Sequence, residues 1–148
     1  MLIQTLKTLF DRDLEKLSQE INAYVNETNI WLTEDGISNS AGNLCLHLVG
    51  NLNTYIGGEI GKTGYIRNRD LEFSLKDVTR EELLEGIAGV RKVIQVSLDL
   101  LKENELEKEY SLLVFKEKTS TGYFLVHLAV HLGYHLGQVN YHRRMLDK

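Results

Sequence analysis

Apolar residues recur at steps of three and four over much of this chain, and this spacing constrains the fold more than any other feature. Such steps place apolar side chains on one face of an α-helix. The first series is Leu2, Leu6, Phe10, Leu14, Leu17, Ile21 and Tyr24, and a second is Leu83, Leu84, Ile87, Val90, Ile94 and Leu98. The spacing predicts one helix from about Leu2 to Asn26 and another from about Thr79 to Leu101.

Local start and stop signals predict two further long helices. One runs from about residue 39 to residue 56, where the glycine pair at 57–58 ends it. The last begins after the hydroxyl-rich stretch 119–121 and continues to about Met145. Thr79 and Glu82 have the spacing of a capping box, which marks a helix start. The chain contains no proline that would interrupt these helices.

Four long helices in 148 residues predict a single domain, residues 1–148, with an all-α four-helix-bundle fold. The connection over residues 58–78 is longer than the roughly two to eight residues usual between bundle helices. A connection of that length can cross the bundle and leave the second and third helices parallel, in up-down-down-up topology. The segment 109–118 forms at most a short extended stretch.

Charge and cysteine content exclude several classes of protein. The formal net charge is −4 and the basic residues form no block, so we expect no nucleic-acid partner. No apolar run approaches the roughly 20 residues of a membrane helix, so we expect no membrane partner. The only cysteine, Cys45, has no partner for an internal disulfide and is predicted to pack in the core. These features favour a cytoplasmic protein.

Residues 127–142 contain four of the five histidines of the chain. At about 100° per residue they form one narrow helical stripe beside the apolar face. Histidines four residues apart can chelate one ion, and the spacing allows either His127 with His131 or His131 with His135. A third ligand has to come from another helix, where His47 is available. Alternatively, the histidines only pack and form hydrogen bonds in a metal-free bundle.

Five polar residues are candidates for supporting or substrate-binding roles. Asn43 and Asn51 lie one turn before and after the histidine of the second helix, and Gln138 lies on the histidine stripe. They are typical of residues that orient metal ligands, or of ordinary polar packing. Arg67 and Arg69 lie in the long connection, where they could bind an anionic group of a substrate or tie the loop to the bundle through ion pairs.

Three stretches resemble the DinB/YfiT-like superfamily, and within it the DUF1572 family. They are NSAGNLCLHLVGNL, RNRDLEFS at residues 67–74, and HLAVHLGYHLGQ at residues 127–138. The resemblance implies an up-down-down-up bundle. It also implies a divalent metal ion held by His47, His131 and His135.

The same resemblance suggests an activity. The superfamily includes thiol-dependent transferases and isomerases that use low-molecular-weight thiols such as bacillithiol or mycothiol. The leading hypothesis is therefore a metal-dependent enzyme, with zinc or nickel, that transfers a thiol to a small-molecule substrate. A metal-dependent hydrolase and a non-catalytic, metal-stabilised binding module are the alternatives. No residue is identified as catalytic.

The last helix is apolar almost all round from Phe124 to Val139. It also contains Gly133 and Gly137, each of which costs about 1 kcal/mol relative to alanine inside a helix. We expect a close helix–helix approach at these glycines, either within the bundle or between two chains. The sequence therefore predicts a homodimer.

Overall fold

The computed structural model describes residues 1–148, which form five α-helices and no β-strand. The prediction of an all-α fold is confirmed. Four helices are long and one, within the predicted connection, is short. In chain order they are α1 (Leu2–Ala23), α2 (Ala41–Leu52), α3 (Arg69–Ser74), α4 (Arg80–Leu98) and α5 (Thr121–Leu146).

The core is built from the apolar faces that the spacing predicts. In α1, Leu6, Phe10, Leu14, Leu17 and Ile21 are all fully buried. This helix packs against α4 and α5, and α2 packs against the same two helices. Helices α1 and α2 therefore occupy opposite corners of the bundle, and α5 contacts both of them.

Contacts between α2 and α4 advance in the same order along both helices. Val49 lies against Gly86, and Gly57, after the end of α2, lies against Val93. Successive contacts therefore move in the same chain direction along α2 and α4. The crossover, residues 59–78, connects the two.

Side-chain caps fix the starts of three long helices. The predicted capping box is confirmed: Glu82 N donates to Thr79 Oγ1 at 3.2 Å, and Thr79 N donates to Glu82 Oε2 at 3.1 Å. Ser40 caps α2 and Ser120 caps α5 through the same kind of backbone hydrogen bond.

One predicted helix changes type before its end. The α-helix predicted to reach Ile56 ends at Leu52 and continues as a π-helical turn over Asn53–Gly58. In this turn the carbonyl oxygen of Tyr55 accepts a 2.6 Å hydrogen bond from the Tyr110 hydroxyl. The crossover contains α3, a helix that was not predicted because it is too short to show an apolar repeat.

Of the two close approaches considered at the α5 glycines, the one within the bundle is not found. A Cβ at Gly137 would meet nothing within 4 Å, and one at Gly133 would meet only the Asp13 carboxylate, at 3.8 Å. Both glycines face outward. In the 109–118 segment an isolated bridge joins Glu109 to Ser120, and no strand forms. None of the helices combines the length and hydropathy that a transmembrane span requires.

Candidate metal centre

Three histidine side chains from two helices meet at one point of the bundle. His47 lies on α2, and His131 and His135 lie one turn apart on α5. The Nε2 atom of His131 is 3.3 Å from Nε2 of His47 and 3.1 Å from Nε2 of His135. One nitrogen from each ring lies within 4.8 Å of the others, and the three residues could hold a metal ion. We refer to them as the histidine cluster.

The cluster follows from the helical repeat of α5 and from its packing on α2. Residues four apart project from the same side of a helix, so the two imidazoles of α5 lie together. His47 is 6% exposed, whereas His131 and His135 are partly exposed. The cluster therefore lies at the edge of the core, and one side of it is accessible.

Hydrogen bonds at Nδ1 favour the proton on that nitrogen in two of the rings, although Nη2 of Arg67 also lies 3.4 Å from Nδ1 of His47. Nδ1 of His47 is 3.1 Å from Oε1 of Glu72, and Nδ1 of His135 is 2.6 Å from Oε1 of Gln138. A carboxylate and an amide oxygen only accept hydrogen bonds, so each Nδ1 donates and each Nε2 keeps a lone pair. Two unprotonated nitrogens therefore lie within 3.3 Å of Nε2 of His131.

The third ring differs from the other two. Nδ1 of His131 is buried without a hydrogen-bond partner, and so is Oδ1 of Asn51 on the facing helix. Buried polar atoms are almost always paired, so each unpaired atom needs an explanation. Among the residues predicted to support the site, Asn51 is the one that has an unpaired buried atom.

The surroundings favour the neutral form of two of the three cluster histidines, His131 and His47. Burial, together with the neighbouring imidazoles of His135 and His47, lowers the pKa of His131 to about 4. Burial also lowers the pKa of His47, although the hydrogen bond to Glu72 opposes this effect. Only a neutral imidazole binds a metal ion, so both shifts favour metal binding.

The donor set fits a divalent ion. Two nitrogens bound to one tetrahedral zinc ion at 2.0–2.1 Å are about 3.3–3.4 Å apart. The observed separations of 3.1 and 3.3 Å are close to this value. A cation between the three nitrogens would also offset the repulsion between the Nε2 lone pairs of His47 and His135. Imidazole ligands suit zinc and nickel alike.

Glu72 on α3 is the site residue that the sequence analysis missed. It is 6% exposed, and its carboxylate accepts two 2.9 Å hydrogen bonds from Arg67. Arg67 therefore forms an ion pair within the crossover. A Cβ at Gly50, one turn after His47, would overlap the Glu72 carboxylate. This glycine is a signal in the sequence that another element approaches α2 closely there, although it does not identify Glu72.

Asn43 and Arg69 both make contacts with residues of the crossover. Nδ2 of Asn43 donates to the backbone oxygens of Glu72 and Leu75, at 2.9 and 2.8 Å, and so anchors α3 on α2. The Arg69 guanidinium lies 5.5 Å from the centre of the Phe73 ring. Phe73 in turn packs on the His47 ring, with 4.9 Å between ring centres.

The two other histidines of α5 lie outside the cluster. The His127 ring is centred 6.2 Å from that of His131 and supplies no nitrogen to the group. His142 is buried, where Nδ1 accepts a 2.7 Å hydrogen bond from the Tyr24 hydroxyl and Nε2 donates to the Leu32 carbonyl at 2.9 Å. The structure therefore brings the second of the two possible α5 pairs together with the histidine of α2.

A cavity of about 360 Å³ lies near the end of α5, and none of the three cluster histidines lines it. Ile37, Leu44 and Tyr141 line it together with Gln138. Because Gln138 also hydrogen-bonds His135, one side chain joins the cavity wall to the cluster.

Comparison with protein-family models gives one family for almost the whole chain. The model described as "Protein of unknown function (DUF1572)" matches residues 2–148. The matched span contains the three histidines of the cluster and the crossover that carries Glu72. Comparison with curated proteins gives no match. The chain therefore belongs to the DUF1572 family.

Proposed function

We propose that the protein is a divalent-metal-dependent enzyme whose ligands are His47, His131 and His135. The observation that carries this proposal is the meeting of three Nε2 atoms, at least two of which keep a lone pair because their rings donate through Nδ1. Three protein ligands leave at least one coordination position for a substrate or water, which is typical of catalytic rather than structural zinc sites.

We also infer that the four long helices run up-down-down-up, as in the DinB/YfiT-like superfamily. The parallel advance of contacts along α2 and α4 supports this order. Contacts between α1 and α4 run in the opposite sense, since Arg80 at the start of α4 donates to the carbonyl of Tyr24 beyond the end of α1. Membership of the superfamily is part of the proposal.

A bound divalent ion would supply Lewis-acid chemistry, lowering the pKa of a thiol or of water at neutral pH. The chain itself supplies the positioning. Glu72 and Gln138 hold two imidazoles with Nε2 free, and Phe73 covers one face of the His47 ring. The cavity beside Gln138 has room for a small molecule. We propose transfer of a low-molecular-weight thiol to an electrophilic small molecule, with zinc or nickel as the metal.

Metal analysis of three proteins tests the site. The purified wild type should bind one zinc or nickel ion per chain, and His131→Ala should lose stoichiometric binding, because two remaining imidazoles compete poorly with buffer. His127→Ala is the matched control on the same helix and should bind normally. Stoichiometric metal in His131→Ala would place the site elsewhere.

The reaction class needs a separate assay. The metal-loaded protein should accelerate the reaction of a low-molecular-weight thiol with an activated alkyl or aryl electrophile, and His131→Ala should not. Hydrolysis of an activated ester in the absence of thiol would favour a hydrolase. A metal with four protein ligands and no exchangeable position would indicate a structural site.

We further propose that two chains associate through the outward face of α5. Val130 and Tyr134 are 66% and 65% exposed, and Tyr123 and Tyr141 extend the same stripe. The helix has no charged residue from Thr121 to His142, so two copies would not repel each other. A helix of 26 residues is about 39 Å long and can bury an area near the roughly 800 Å² per partner of a stable interface.

A further inference from the structure

The crossover is fixed to α2 at three positions that lie on one face of that helix. Asn43 holds the backbone oxygens at the end of α3, His47 meets the Glu72 carboxylate, and Gly50 leaves the space that this carboxylate occupies. These positions follow an i, i+4, i+7 pattern, which is one helical face. The face of α2 that carries His47, a candidate metal ligand, therefore also packs against the crossover.

Every hydrogen bond to the Glu72 carboxylate comes from one of two residues. Arg67 donates from Nε to Oε2 and from Nη2 to Oε1, which is the bidentate geometry typical of a guanidinium and a carboxylate. His47 Nδ1 donates to Oε1. The Arg67 charge balances the carboxylate, which lets a carboxylate stay buried at this position.

The contact with Glu72 favours the His47 tautomer that carries its proton on Nδ1. A carboxylate accepts from Nδ1 and thereby leaves the lone pair on Nε2, the atom that lies 3.3 Å from Nε2 of His131. Without Glu72 the ring could carry its proton on Nε2 instead, where it would block a metal ion. The hydrogen bond thus links the position of the crossover to the binding state of the cluster.

We propose that Glu72 is a positioning residue for His47, and that metal binding and docking of the crossover stabilise each other through it. This inference rests on the proposed metal site. Reciprocity follows from linkage: if a docked crossover raises metal affinity, bound metal must favour the docked crossover by the same factor.

Glu72→Gln tests the proposal, with Asp70→Asn as the matched control. Both changes remove one charge from the same short helix, but Asp70 is exposed. Zinc affinity, measured by competition with a chromophoric chelator, should fall about 10- to 100-fold in Glu72→Gln. It should stay unchanged in Asp70→Asn. Equal zinc affinity in Glu72→Gln and wild type would overturn the proposal.

Two further readouts separate positioning from simple stabilisation of the fold. In the metal-free protein, ¹⁵N NMR of the imidazoles should show the proton of His47 on Nδ1 in the wild type and a shift of population toward Nε2 in Glu72→Leu, which removes the acceptor. Zinc should increase hydrogen-exchange protection over residues 67–75 in the wild type and less in Glu72→Gln. An unchanged His47 tautomer in Glu72→Leu would contradict the positioning role.

A further variant covers the case in which Glu72→Gln fails to fold. Gly50→Ala keeps every charge but displaces the carboxylate, so it should lower zinc affinity in the same direction. Normal affinity in Gly50→Ala would also count against the proposal. If the wild type binds no metal, the proposed function fails, whereas the tautomer measurement on the metal-free protein still decides the role of Glu72.

Discussion

His131 combines partial burial with two imidazole neighbours within hydrogen-bonding distance, and both lower its pKa. In the metal-free protein this shift makes stability depend on pH. The folded-state pKa is about 4 and the ordinary value is 6.5, so between these values the unfolded chain binds a proton that the folded chain does not. The contribution is complete above pH 6.5 and is lost as the pH falls toward 4.

We therefore expect the free energy of unfolding of the metal-free protein to fall between pH 7 and pH 5. The part due to His131 should be on the order of 1–2 kcal/mol after allowance for solvent screening. Urea unfolding in the presence of a chelator measures it. His131→Leu should show a smaller difference between the two pH values, and an equal difference in both proteins would contradict the assignment to His131.

At the level of single residues, the sequence predicted the members of the cluster but not the residue behind it. The four-residue spacing left two α5 pairs open, because helical periodicity treats His127 and His135 alike. Apart from the family resemblance, only the packing of α5 on α2 separates them. Glu72 lies 25 positions from His47 and meets it through space, so no local spacing could indicate the contact.

Among the helices, those with a repeated apolar face or a side-chain cap were predicted well. The starts of α4 and α5 follow from hydrogen bonds between residues three apart, which a sequence displays directly. Helix α3 is six residues long and is held by Asn43 and by the Arg67–Glu72 ion pair. Its stability is tertiary, and for that reason its sequence gave no periodic signal.

Two helical glycines should respond in opposite directions to alanine. Gly89 on α4 has open space at its Cβ position, so Gly89→Ala should raise the free energy of unfolding by up to about 1 kcal/mol through helix propensity. A Cβ at Gly42, near the start of α2, would stand 2.7 Å from atoms of the Trp31 ring. Gly42→Ala should therefore destabilise the protein by about 1–3 kcal/mol. Urea unfolding of both variants checks this, and a gain in both would show that the indole moves aside easily.

For the whole molecule, the proposed dimer makes the sharpest prediction. Val130→Glu places a charge in the middle of the exposed α5 stripe and should convert the dimer to a monomer of 17.0 kDa in sedimentation velocity. Val96→Glu is the control, since Val96 is similarly exposed, at 61%, but lies on α4. A wild-type protein that sediments as a monomer at micromolar concentration would remove the proposal, and dissociation by Val96→Glu alone would move the interface to α4.

The placement of α1 and α2 at opposite corners also bears on how the chain folds. Helix α1 finds its partners in α4 and α5, so it has no hairpin with the next long helix that could form early. Its ion pairs and hydrogen bonds close long loops, such as those between Arg91 and Asp11 and between Arg143 and Glu20. Closing long loops costs chain entropy before any contact is gained, and proteins rich in such contacts fold more slowly. We expect this bundle to fold more slowly than one of equal size whose successive helices pair, with α1 secured only once the distant helices are in place.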